Sequence, residues 1–160
     1  MVTETDLKHL RRCLELAAEA IEAGDEPFGS VLVGSDGAML AEDRNRETSE
    51  ADQTRHPELA LARWAAGHLD AVERAAATVY TSGEHCPMCA AAHGWVGLGR
   101  IVFASSSAQT SAWLTDLGVG PSPVRPIPVQ EVAPNVEVEG PVAGLDEEVH
   151  ELHRRYRLSR

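Results

Sequence analysis

Cys86-Pro-Met-Cys89 places two thiols two residues apart, a spacing that can hold one metal ion or serve as a redox pair. A structural zinc site takes four protein ligands, usually from a second such pair or from two histidines. The third cysteine, Cys13, stands far away in the chain and reads as a small buried thiol. Two cysteines with a single further ligand leave one coordination position open to water, which is the catalytic pattern. Seven histidines are available to supply that ligand. His9, His68, His150 and His153 fall at ordinary helical positions and read as solvated or partly packed. His85 and His93 lie beside the cysteines in sequence. His56 differs from all of them: it begins a helix and is followed two residues later by Glu58, a carboxylate suited to proton transfer.

The surrounding pattern must bring these residues together. Leu7, Leu10, Leu14, Ala17 and Ile21 recur at helical steps, predicting an amphipathic helix over 3–23, with Thr3 and Asp6 as a capping box and Gly24 as its stop. Strands are expected at Phe28–Val33 and Met39–Ala41 around the Asp36-Gly37 turn. After the polar stretch from Glu42 to Arg55, Pro57 suits the first turn of a helix reaching about Leu69. A strand at Thr78–Thr81 then feeds a helix from Cys86 to Val96. A strand over Arg100–Ala104, a helix around Ser111–Leu117, an edge strand over Ile127–Val132 and a helix from Leu145 to Arg157 complete the chain. Strands alternating with helices imply parallel pairing with helices on both faces. The expected architecture is a three-layer α/β/α sandwich with a mixed five-stranded sheet, in one domain spanning 1–160.

In this frame the interval between Glu58 and Cys86 fits a helix, a strand and a turn, so His56 and the cysteines can meet at two helix starts. A His/Cys/Cys zinc site with a non-ligating Glu is the arrangement of zinc deaminases. The chain resembles the cytidine deaminase superfamily, in its guanine deaminase and tRNA adenosine deaminase branch, from about Leu7 to Leu117. The matching segments are Glu26-Pro-Phe-Gly-Ser-Val-Leu-Val33, Asn45-Arg46, His56-Pro-Glu58, Tyr80-Thr81-Ser82 and Glu84-His-Cys-Pro-Met-Cys89. The resemblance implies the same sandwich fold, Zn²⁺ held by His56, Cys86 and Cys89, and Glu58 as the proton shuttle. It also implies a homodimer, since relatives often build their pockets beside a subunit interface.

Two positions depart from the family pattern. His85 replaces a proline before the first cysteine. Pro57 stands where the family has a residue whose backbone N–H helps hold a ring carbonyl, alongside an asparagine matching Asn45. Proline has no N–H to donate, so a buried substrate carbonyl would lose a partner. The expected pocket therefore favours an amino-rich edge, as in isoguanine-like purines, aminotriazines or modified cytosines. The other reading of Pro57 is that it merely starts the helix. Phe28 and Trp95 are candidates for lining the pocket by resemblance, with core packing as the alternative for each. Guanine deaminases carry an acidic substrate contact after the fourth strand. The nearest acid here is Asp116, which weakens guanine as substrate.

Composition limits the partners. The net charge of −11, from 25 acidic and 14 basic residues, repels phosphate backbones and argues against nucleic acid. The one basic run, His153 to Arg157 with Arg160, reads as a cationic helix end. No apolar run is long enough to span a membrane, and the charged start MVTETDLKHLRR does not resemble a signal peptide. The expectation is a cytoplasmic hydrolase of a small nucleobase-like molecule, with water as co-substrate. Rival readings are a tRNA adenosine deaminase, a non-catalytic structural zinc module with His85 as fourth ligand, and a thiol redox protein.

Overall fold

A computed structural model describes residues 1–160. Helix α1 (Glu4–Glu22) begins at the Thr3–Asp6 capping box, and Gly24 follows its end with φ +87°. The hairpin of β1 (Gly29–Val33) and β2 (Met39–Arg44) turns through Asp36 and Gly37, whose φ of +85° is easy only for glycine. Helices α2 (Pro57–His68) and α3 (Ala71–Ala76) lead to β3 (Thr78–Gly83), followed by α4 (Pro87–Val96). Then come β4 (Ile101–Ser105), α5 (Ser107–Asp116), α6 (Val129–Val132), β5 (Val138–Glu139) and α7 (Leu145–Leu158).

The sheet order is β2-β1-β3-β4-β5, with β1 antiparallel to β2 and β3, and parallel pairing for β3–β4 and β4–β5. Alternation along the strands divides the core between the two faces. Val31, Val33, Tyr80, Val102 and Ala104 pack with Leu10, Leu14 and Leu16 of α1 and with Val149 of α7. On the other face, Leu32 and Val79 meet Leu61, Ala62 and Ala65 of α2, while Ile101 and Phe103 meet Ala90 of α4 and Val129 of α6. The three-layer expectation holds.

Three local features differ from the sequence reading. The fifth strand is not at 127–132. Pro126 and Pro128 lack the N–H groups a ladder needs, and Pro128 instead caps the short helix α6. The strand that pairs with β4 is the two-residue Val138–Glu139. Helix α3, with its own Asp70–Glu73 capping box, fills a segment with no apolar stripe to announce it. His153 is buried, at 1% exposure, rather than solvated.

Gly29 sets how closely α1 approaches the sheet. A Cβ there would overlap the Cys13 carbonyl and come within 2.5 Å of Leu16 Cβ and 2.9 Å of Ala17 N. Only a residue without a side chain lets α1 lie this close to β1.

Candidate metal centre and active site

The polar connection after β2 ends at His56, the N-cap of α2, and the connection after β3 ends at Cys86, the N-cap of α4. Both caps are extended, and each is followed by a proline at the first helical position. Helices α1, α3 and α5 begin with capping boxes, but α2 and α4 have no side-chain cap. The side chains that could have capped them turn toward each other instead.

His56 Nδ1 lies 3.5 Å from Cys86 Sγ and 3.6 Å from Cys89 Sγ, and the three ligand atoms all lie within 4.8 Å of one another. Tetrahedral zinc, with bonds of about 2.3 Å to sulfur and about 2.0–2.1 Å to nitrogen, sets an N···S separation of roughly 3.6 Å. The donors therefore fit zinc in type and spacing, and three of them leave one position for a non-protein ligand. Two helix N-termini, each a positive pole, converge on the thiols and favour their anionic form.

The protons of this cluster are strongly redistributed. Hydrogen bonding from Cys89 lowers the Cys86 thiol to about 4, with His56 adding to the effect. The Cys89 thiol is correspondingly pushed up, through its bond with Cys86 and by burial. Burial disfavours the His56 cation, yet contacts with Cys86 and Glu47 raise its pKa to about 11. A divalent cation competes with these protons for the same atoms.

Glu58, on the first turn of α2, is 6% exposed. Its Oε1 accepts from the hydroxyls of Ser30 on β1, at 3.0 Å, and Thr81 on β3, at 2.9 Å. Burial raises the carboxyl above its ordinary range, against the opposing pull of His56. Its charge also helps to raise the Cys89 thiol, and Glu58 is not one of the three clustered ligands. A carboxyl shifted toward neutrality and held by two hydroxyls is suited to accept and return a proton.

The other candidates from the sequence are distributed unevenly. Pro57 is buried at the first position of α2. Asn45 is 1% exposed, and both ends of its amide are engaged by one residue. Nδ2 donates to Glu47 Oε2 at 2.6 Å, and Oδ1 accepts the Glu47 N–H at 3.0 Å. Glu47 is the residue that sequence reasoning missed; it lies in a polar loop with no motif to mark it. Phe28 is half-buried, edge-on to the His153 ring at 5.0 Å. Trp95 is 90% exposed and borders a surface groove with Val132, Ala133 and Pro134. The structure thus contradicts core packing for Trp95 and does not bring it to the metal cluster, because the last turn of α4 points its ring outward. His85 is 1% exposed, edge-on to His93 at 5.4 Å, and outside the ligand cluster, so the fourth-ligand reading has lost its candidate. Asp116 is exposed at the end of α5. A cavity of about 370 Å³ opens between Glu26, Glu47, Thr48, Ala51, Gln53 and Tyr156.

Comparison with known proteins agrees with this geometry. Residues 3–105 match the family model described as the cytidine and deoxycytidylate deaminase zinc-binding region. Guanine deaminase from Bacillus subtilis is 39% identical over 97 residues, covering 60% of this chain and 62% of that protein. A tRNA-specific adenosine deaminase from Haemophilus influenzae is 34% identical over 110 residues, covering 69% of this chain and 64% of that protein. The chain thus spans less than two thirds of the length of these curated relatives. A solved structure of guanine deaminase from Nitrosomonas europaea superposes with a TM-score of 0.73 at 21% identity, covering 99% of this chain and 86% of that one. That likeness establishes the shared fold.

Proposed function

The chain belongs to the cytidine and deoxycytidylate deaminase family, and from that premise we propose that it is a zinc-dependent hydrolytic deaminase of a small amino-substituted heterocycle. The observation that carries this reading is the three-donor cluster of His56, Cys86 and Cys89 with the buried carboxyl of Glu58 beside it. Zinc held by His56, Cys86 and Cys89 would supply Lewis acidity and make a water at the open position more acidic. Glu58 would act as the base that accepts one proton from the attacking water. It would pass that proton to the ring nitrogen as the oxygen bonds to the ring carbon, and would then carry the second proton, from the new hydroxyl, to the amine, which leaves as ammonia when the C–N bond breaks. Ser30 and Thr81 hold Oε1, which leaves Oε2 free for this traffic.

Three features support an amino-rich free base as the substrate. Pro57 offers no N–H to a ring carbonyl. One of the two Asn45 amide hydrogens is already committed to Glu47. The neighbouring cavity is lined by the carboxylates of Glu26, paired with Arg157, and Glu47, whose remaining lone pairs can accept hydrogen bonds from amino groups. Its volume lies in the range of small-molecule sites, about 300–1,000 Å³.

The test is an ammonia-release screen of the zinc-loaded protein on cytosine, guanine, isoguanine, aminotriazines and an adenosine-containing tRNA hairpin. Turnover of an amino-rich base is expected, with Glu58→Gln keeping zinc and losing about 10²–10⁴-fold in rate. An active, zinc-loaded Glu58→Gln protein would overturn the mechanism. Pro57→Ala should improve cytosine relative to the amino-rich bases by about ten-fold or more, the value of one restored donor. An unchanged preference would refute the substrate assignment.

A further inference from the structure

The zinc-deaminase reading leaves one close contact of the cluster without a role. With Nδ1 of His56 facing the two sulfurs, a neutral imidazole that ligates through Nδ1 must carry its proton on Nε2. The group facing Nε2 is Glu47, whose Oε2 lies 3.6 Å away. The same oxygen accepts from Asn45 Nδ2 at 2.6 Å. We propose that Glu47 is a positioning residue that orients the His56 ligand from behind and ties it to Asn45.

The loop around Glu47 is built to hold that carboxylate still. Asn45 donates its backbone N–H to the Phe28 carbonyl at 3.0 Å, at the edge of the sheet. On the other side of Glu47, the fully buried carboxylate of Asp25 accepts the N–H groups of Thr48 and Ser49 at 2.9 and 2.8 Å. Arg44 bridges the two anchors, donating to Asp25 Oδ2 and to the Asn45 carbonyl, each at 2.9 Å. Glu47 therefore sits between fixed points, and its Oε2 reaches His56 and Asn45 at once. A carboxylate behind a metal-bound imidazole fixes the ring's orientation and tautomer and makes it a better donor to the metal. It also adds negative charge beside a centre whose two thiolates and neutral imidazole only just balance the dication.

The inference rests on the zinc-deaminase reading, and its test does not depend on turnover. Zinc affinity of the holoprotein is measured by competition with a chromophoric chelator for wild type, Glu47→Ala and Glu47→Gln. Glu50→Ala serves as the control in the same loop, because Glu50 pairs with Arg55 and with none of the three clustered ligands. Glu47→Ala should bind zinc about 10–100-fold more weakly, as loss of such partners typically does. Glu47→Gln, which keeps an acceptor oxygen, should recover part of that loss, and Glu50→Ala should match wild type. The cobalt-substituted Glu47→Ala protein should show displaced visible absorption bands, reporting a turned ligand that a mere loss of stability would not produce. Wild-type zinc affinity and an unchanged cobalt spectrum in Glu47→Ala would overturn the inference, as would equal weakening by Glu50→Ala. Either result would leave the deaminase reading intact, whereas wild-type protein without affinity for zinc would sink that reading itself.

Discussion

His153 should make the protein sensitive to acid, and replacing it with leucine should remove that sensitivity. The ring is 1% exposed on α7, edge-on to Phe28 and 6.3 Å from Trp113, and its Nε2 has no hydrogen-bond partner. Burial, with smaller contributions from Arg157 and His150, lowers its pKa from 6.5 to about 4. The unfolded chain takes up a proton as pH falls through 6.5, while the folded chain refuses it until about 4. Stability is therefore fully present above 6.5 and is drained between 6.5 and 4. Each pH unit in that window is worth about 1.36 kcal/mol, so the whole interval costs about 3 kcal/mol. For a chain of this length that is about 6–12 °C in Tm. Guanidinium unfolding of wild type and His153→Leu at pH 7.5 and pH 4.5 measures the effect directly. At pH 7.5 the variant should be at least as stable, since it deletes an unpartnered buried nitrogen. At pH 4.5 it should retain most of the 3 kcal/mol that wild type loses. Parallel losses in the two proteins would refute the assignment of a buried, neutral His153.

Two further substitutions test the packing that carries the site. Gly29→Ala should lower stability by about 1–3 kcal/mol, because its Cβ meets the backbone of α1 rather than a movable side chain. Denaturant unfolding of Gly29→Ala within about 0.5 kcal/mol of wild type would show that α1 can retreat freely. Asp6 accepts from Arg100 at 2.9 and 3.0 Å, from the Tyr80 hydroxyl at 2.7 Å and from the Thr3 N–H at 2.8 Å. Burial alone would raise its carboxyl, but Arg100 and these donors hold it well below the usual carboxylate range. Asp6→Ala leaves Arg100 with Glu139 alone and strands the Tyr80 phenol, and should cost about 1–3 kcal/mol at neutral pH, read by the same unfolding experiment. A loss below about 1 kcal/mol would refute the role of that network.

The metal cluster was legible because its signals are local. A CxxC pair and a His-Pro-Glu each sit where a turn signal meets a helical pattern, so the fold had only to bring two helix starts together. The hairpin was equally readable from Asp36-Gly37, where a positive φ is demanded of one residue. The fifth strand was not, because Val129 and Val132 supply apolar content to either a strand or a helical turn. The decision fell to Glu84, whose Oε2 accepts the Val129 N–H at 2.9 Å across 45 residues. Glu47 was hidden for a related reason: its partners are Asn45 in the same loop and His56 beyond it, and no period links the three. Trp95 shows the opposite failure. Its place on the metal-binding helix suggested the pocket or the core, yet the side chain at that position faces outward.

The two uncapped helix starts have a consequence for the folded chain as a whole. His56 and Cys86 bound to one ion close a loop of roughly 30 residues that contains α2, α3 and β3. A covalent cross-link over such a span removes chain entropy worth about 3.5 kcal/mol from the unfolded state. The ion that would serve chemistry at the open position would thus also act as a staple between the connections that follow the edge strand β2 and the central strand β3. Helices α2 and α4 exchange the usual serine or aspartate cap for a shared one, and their docking against each other becomes coupled to the concentration of free metal.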